Sequence, residues 1–156
     1  MSNNIVCATR GGEGSRAVQM AAIKYAKEHN LRLIFFYVTD VGSLGKVDDT
    51  LISALTEELN WMGKTLLAIA QRRADMAGLH TDVVIRVGNF REEMVRFLEE
   101  NHAQRLFLGA PRGTTANVFG DDAIEHFARS IQEQTDIPVT IIRPDVVQAR
   151  ESVLDR

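Results

Sequence analysis

The amino-acid sequence predicts an α/β fold, a single doubly wound, five-stranded parallel sheet of Rossmann-like type with helices on both faces. Two observations predict it. Five strand-length apolar runs punctuate the chain, "NIVCAT", "LRLIFFYV", "TDVVIRV", "RLFLGA" and "IPVTII", and most are rich in β-branched or aromatic residues. Between them lie four stretches with helical spacing. Strict alternation of strand and helix implies parallel strands joined by right-handed crossovers. A length of 156 residues fits one domain.

The helical stretches differ in how plainly they show a core face. Ser15 to His29 places Val18, Ala21, Ala22, Tyr25 and Ala26 on one side. Asp49 to Ala77 carries Ile52, Leu55, Leu59, Met62, Leu66 and Ile69 in alternating steps of three and four. That repeat fits a coiled-coil seam or a core-facing helix, and its short run favours the core. Gly63, in mid-stripe, marks a bend or close packing. Arg91 to Glu100 shows Met94, Val95, Phe97 and Leu98, and Asp122 to Gln134 shows Ile124, Phe127, Ala128 and Ile131. "VVIRV" and "LFLGA", apolar on both faces, read as central strands. The connection "TDVGSLGKV", with two glycines, reads as mobile, and residues 145–156 read as a polar tail beyond a domain of residues 1–144.

Composition excludes several function classes. A net charge of −3, with 18 basic against 21 acidic residues, lacks the basic excess of nucleic-acid binders. No apolar run approaches the ~20 residues of a membrane span. "MSNN" lacks a signal peptide's basic and apolar regions, so a cytoplasmic location and no membrane insertion are expected. The lone Cys7 sits in an apolar run and reads as a buried, inert thiol. The four histidines lack ligand spacing, and no metal site is expected.

In an open parallel sheet, ligands bind beyond the carboxyl ends of the strands where the strand order reverses. Two loops qualify. "ATRGGEGSRA" offers glycine amides, a helix N-terminus and the cations Arg10 and Arg16, which could hold a phosphate. The commoner reading is a tight turn with Ser15 capping the helix. "GAPRGTTANVFGDDAIE" contains Gly109, Arg112, Gly113, Thr114, Thr115 and Gly120. Its helix is expected to open at Asp121 and Asp122, with Asp122 and Glu125 as an acidic capping box that opposes a phosphate. Asp40, Asp121 and Asp122 are the carboxylates available for acid–base work near the crevice.

Together these residues resemble the universal stress protein family. The resemblance runs from Asn4 to about Pro144 and rests on "NIVCATRGGEGSRAVQMAAIKYAKEHNLRLIFFYV", "VVIRVGNFREEMVRFLEENHAQRLFLGAPRG" and "ARSIQEQTDIPVTIIRP". It implies the sheet order 3-2-1-4-5 and a homodimer formed through the last strand, here Ile137 to Ile142. Ile137, Val139, Ile141 and Ile142 would then lie at the interface, with Pro138 suited to an edge. It also implies a nucleotide site, for which the candidates are Ala8, Thr9, Arg10, Gly11, Gly12, Val38, Gly109, Arg112, Gly113, Gly120 and Asp121.

Nucleotide-binding members of that family carry Gly, two residues, Gly, nine residues, then Gly with Ser or Thr. Here Gly109 matches the first glycine and Arg112 stands at the second. Seven residues separate Arg112 from Gly120, and Asp121 follows in place of the hydroxyl residue. Arg10 stands where binding members end the first strand with aspartate, which also argues against a response-regulator receiver. "RGGEGS" partly resembles the Ser-Gly-Gly-x-Asp-Ser loop of ATP pyrophosphatases. The expected function is a dimeric regulatory or interaction module of the stress response, without enzymatic chemistry and not binding ATP in the usual pose. The alternative is a sensor of ATP, ADP, AMP or a cyclic dinucleotide with an altered anion site using Arg10 and Arg112. An ATP-hydrolysing or ligase-like enzyme is the third reading. The client protein is not legible.

Overall fold

A computed structural model describes residues 2–12, 14–110 and 117–144, with side chains from residue 123 onward in the last segment. Arg112, Gly113 and the tail 145–156 lie outside the described residues. The elements alternate as expected: β1 (Asn4–Ala8), α1 (Ser15–His29), β2 (Arg32–Thr39), α2 (Ile52–Met76), β3 (Asp82–Val87), α3 (Phe90–Glu100), β4 (Leu106–Gly109), α4 (Asn117–Thr135) and β5 (Val139–Ile142). All four strand pairings are parallel, in the order β3-β2-β1-β4-β5. The order reverses between β1 and β4, so the crevice of interest opens at their carboxyl ends.

Alternation along β2 feeds two cores. Ile34, Phe36 and Val38 face α3 and α4, where Met94, Phe97, Leu98 and Ile131 close the layer. Leu33, Phe35 and Tyr37 face α1 and α2, meeting Val18, Ala22, Ile23, Leu67, Ala70 and Ala74. β2 is buried on both faces because helices cover both. β3 is not central. It pairs only with β2, and Val83 and Val87 are exposed. Its β-branched run reports strand preference rather than depth in the sheet.

The apolar stripe expected to bury α2 lies beside the docking side rather than on it, although its Leu66 packs against the core. The buried residues of this helix are Gly63, Leu67, Ala70 and Ala74. Ile52, Met62 and Ile69 are exposed, and Leu55, Leu59 and Leu66 half-buried. Small residues decide which side docks, because they let the helix approach the sheet closely. A Cβ at Gly63 would collide with the Tyr37 ring. α2 begins after a 3-10 turn at Asp49–Leu51, whose start Asp48 caps by accepting from Thr50 N.

Cys7 is fully buried, and desolvation pushes its thiol well above the usual cysteine range. It should ignore a water-soluble disulfide reagent in the native protein and react at once in denaturant. Rapid labelling of the native chain would contradict this burial.

Candidate functional site

The first crevice loop leaves β1 at Ala8 and enters α1 at Ser15. Thr9 is 2 % exposed, and its N–H donates to Phe36 O at 2.8 Å, extending the pairing of β1 with β2. Gly11 and Gly12 take φ of +75° and +92°, a region that disfavours side chains, so this loop needs its glycines for the turn itself. Ser15 does not cap α1. Gly14 holds that place, at φ −86° and ψ −2°, with no side-chain capping bond, and Ser15 is the first helical residue.

Gly14 has a second role that its sequence position does not advertise. A Cβ there would lie 2.6 Å from Ala110 O, and one at Gly109 would lie 3.2 Å from Gly14 O. The loop and the end of β4 therefore touch backbone to backbone across the switch point. Leu66 of α2 covers the other side of the loop, 3.1 Å from a Cβ at Gly11. Val38 lies just before the end of β2, 7 % exposed and within the α3–α4 core layer.

Phe90, the first residue of α3, joins three pieces of the rim. The Arg10 guanidinium rests over its ring at 5.1 Å, and Phe127 of α4 stacks against it at 5.4 Å. Its N–H donates to Asp40 Oδ2 at 2.8 Å. Asn89 Oδ1 accepts from Glu92 N in addition, so two side chains cap α3. Asp40 is thereby engaged as a cap. It also anchors the connection read as mobile, which contains a 3-10 turn at Val41–Leu44 with Ser43 Oγ donating to Asp40 O at 2.7 Å. Asp40→Ala should cost about 1–2 kcal/mol, the usual worth of an N-terminal cap, measurable by urea unfolding. An unchanged midpoint would remove Asp40 from this role.

The second loop differs from expectation where it can be compared. α4 begins at Asn117, so Gly120, Asp121 and Asp122 lie inside the helix and do not open it. Carboxylates in the first turns complement the helix dipole as well as those at the cap, so an acidic pair does not locate the start. Ala8, Thr9, Arg10, Gly11, Gly12, Val38 and Gly109 all belong to the carboxyl ends of β1, β2 and β4 or the residues just after them. Among the described residues no group of three or more His, Cys, Asp or Glu side chains could hold a metal ion.

The family model for the universal stress protein family matches residues 1–143. The chain belongs to the universal stress protein family. Solved structures agree on the fold of this universal stress protein. UspA from Lactobacillus plantarum is 18 % identical, covers 90 % of this chain and 97 % of its own, and superposes with a TM-score of 0.72. A family member from Burkholderia pseudomallei is 22 % identical over 90 % of this chain and 95 % of its own, with a TM-score of 0.64. One from Archaeoglobus fulgidus in complex with dAMP is 16 % identical over 91 % and 98 %, with a TM-score of 0.61. No curated protein sequence matches the chain.

Sequence reasoning missed Phe90 and the second role of Gly14. The contacts of both residues span long separations in the chain. Arg10, Asp40 and Phe127 converge on Phe90 from three elements, and no local pattern signals that. No helix among the described residues is long and apolar enough to cross a membrane.

Proposed function

We propose that this universal stress protein is a dimeric regulatory or interaction module of the stress response, acting without chemistry of its own and without binding ATP in the pose usual for the family. The observation that carries this reading is the use of the rim's charged groups. Asp40, the described carboxylate at the crevice, is engaged in capping α3, and Arg10 lies over Phe90. General acid–base chemistry needs a titratable group within reach of a substrate, and the described carboxylate of this rim is committed through Oδ2 to the start of α3. Arg10 in place of the first strand's aspartate, Arg112 in place of a glycine and Asp121 in place of a hydroxyl residue support the same reading.

For the dimer, β5 supports pairing through its outer edge, which has no neighbouring strand among the described residues. Val139, Ile141 and Ile142 are half-buried, whereas Ile137 is 8 % exposed and belongs to the chain's own core. Pro138 offers its carbonyl to Leu106 N at 3.0 Å.

The test is thermal unfolding with and without millimolar Mg-ATP, AMP or a cyclic dinucleotide. No shift is expected. A ligand at 100 times its dissociation constant would add about 2.7 kcal/mol and raise the melting temperature by roughly 5–10 °C, which would overturn the reading. That result would favour a nucleotide sensor with an altered anion site. The observation on that side is the glycine loop at Gly11 and Gly12 beside a cation held by only about 0.5–1 kcal/mol of ring contact. Two solved relatives are in complex with cAMP and dAMP, which makes adenine nucleotides the first probes. Arg10→Ala should then abolish the shift.

A further inference from the structure

The side of α2 turned away from the sheet carries large apolar side chains. Trp61 is 68 % exposed, Met62 48 % and Ile69 43 %. Thr65 and Ala68 are exposed between them, and Glu58 and Arg72 are exposed at the two ends. Neither charge is held by an ion pair among the described residues. The opposite side, Gly63, Leu67, Ala70 and Ala74, packs over β2 and β3, and Trp61, Met62 and Ile69 belong to neither core layer of the described residues.

We propose that this face is a two-fold interface with a second copy of the chain, α2 packing antiparallel on α2 about an axis at Thr65. The sequence is complementary to itself about that residue. Counting outward, Met62 and Ala68 stand three residues away, Trp61 and Ile69 four, and Glu58 and Arg72 seven. Separations of three, four and seven share one helix face. A two-fold axis brings each position onto its mirror, so Trp61 meets the partner's Ile69, Met62 meets the partner's Ala68, and Glu58 meets the partner's Arg72. Each large side chain faces a smaller one, and each charge faces its opposite, twice over by symmetry. Parallel pairing would set Glu58 on Glu58 and Arg72 on Arg72, which like-charge repulsion opposes. The helix dipole does not account for the two charges, because both lie outside the terminal turns where it acts.

This interface is separate from the β5 edge, since α2 covers β2 and β3 at the other side of the sheet. Two measurements on the full chain test it. Thr65→Cys adds one exposed thiol to a chain whose single native cysteine is buried. Under mild oxidation it should give a disulfide-linked dimer, while Glu28→Cys on the exposed side of α1 should not. In sedimentation velocity, Glu58→Arg and Arg72→Glu should each weaken this association about tenfold, and the double swap should restore it. Emission from Trp61, the only tryptophan, should move to the blue as concentration rises through the same range. A chain that stays monomeric, or an assembly indifferent to the swaps with no Thr65→Cys crosslink, would overturn the proposal. The first result would leave the face to a different protein, and the second would place association at β5.

Discussion

Replacing Gly14 by alanine should lower the melting temperature by about 3–7 °C, although alanine suits the local backbone. Gly14 sits at φ −86°, so the substitution imposes no dihedral strain and should gain about 0.4–1 kcal/mol from a stiffer unfolded chain. Against that gain stands the contact with β4. The new methyl would lie 2.6 Å from Ala110 O and 3.1 Å from Ala110 N. Both belong to backbone, and Ala110 N is itself bonded to Ile142 O at 3.0 Å. Neither side can yield by turning a side chain, so either the loop lifts or the β4–β5 pairing distorts. Overpacking of this kind costs about 1–3 kcal/mol, and each kcal/mol moves the midpoint of a chain this long by about 2–4 °C. Gly12→Ala is the comparison for backbone strain alone, because a Cβ there meets nothing within 4 Å among the described residues and only the φ of +92° opposes it. A Gly14→Ala protein as stable as the parent would mean that loop and strand part freely at the switch point.

Phe36→Ala should be more damaging, lowering stability by about 3–5 kcal/mol. Phe36 is fully buried at the middle of β2, and its ring lies on that of Phe97 with centroids 4.2 Å apart and planes 8° from parallel. Truncation removes that contact and opens a cavity between the sheet and α3. The surroundings cannot collapse into it, because β2 is held by β1 on one side and β3 on the other. The melting temperature should fall by about 8–15 °C. In a double-mutant cycle with Phe97→Ala, the two losses should fall short of additivity by about 0.5–1.5 kcal/mol, as expected for paired rings. Full additivity would mean that the stack contributes no more than its buried area.

The two substitutions probe different kinds of information. Phe36 is legible in the sequence, as the middle of an eight-residue apolar run whose alternation assigns Phe35 and Phe36 to opposite faces. Gly14 is legible only as one glycine among three. Gly11 and Gly12 are required by their own dihedrals, whereas Gly14 is required by Ala110, which arrives from the far half of the chain. The α2 stripe teaches the same lesson in reverse. Its three-and-four repeat is real, and the repeat alone predicts that this side faces the sheet. The docking side is decided instead by Gly63, Ala70 and Ala74, because a helix settles where its backbone can come closest, and the larger residues are left toward the outside.

The alternation of strands and helices and the parallel α/β architecture were legible in the amino-acid order. Those follow from periodicity and strand-length runs, which are local properties of a chain that must bury one side of each element. The extent of α4, the edge position of β3, the use of Asp40 to cap α3 and the convergence of Arg10, Asp40 and Phe127 on Phe90 were decided by tertiary structure alone. Each depends on which distant element supplies the partner of a backbone group or fills the space beside a ring. Packing between elements sets that choice, and no short stretch of sequence contains both partners.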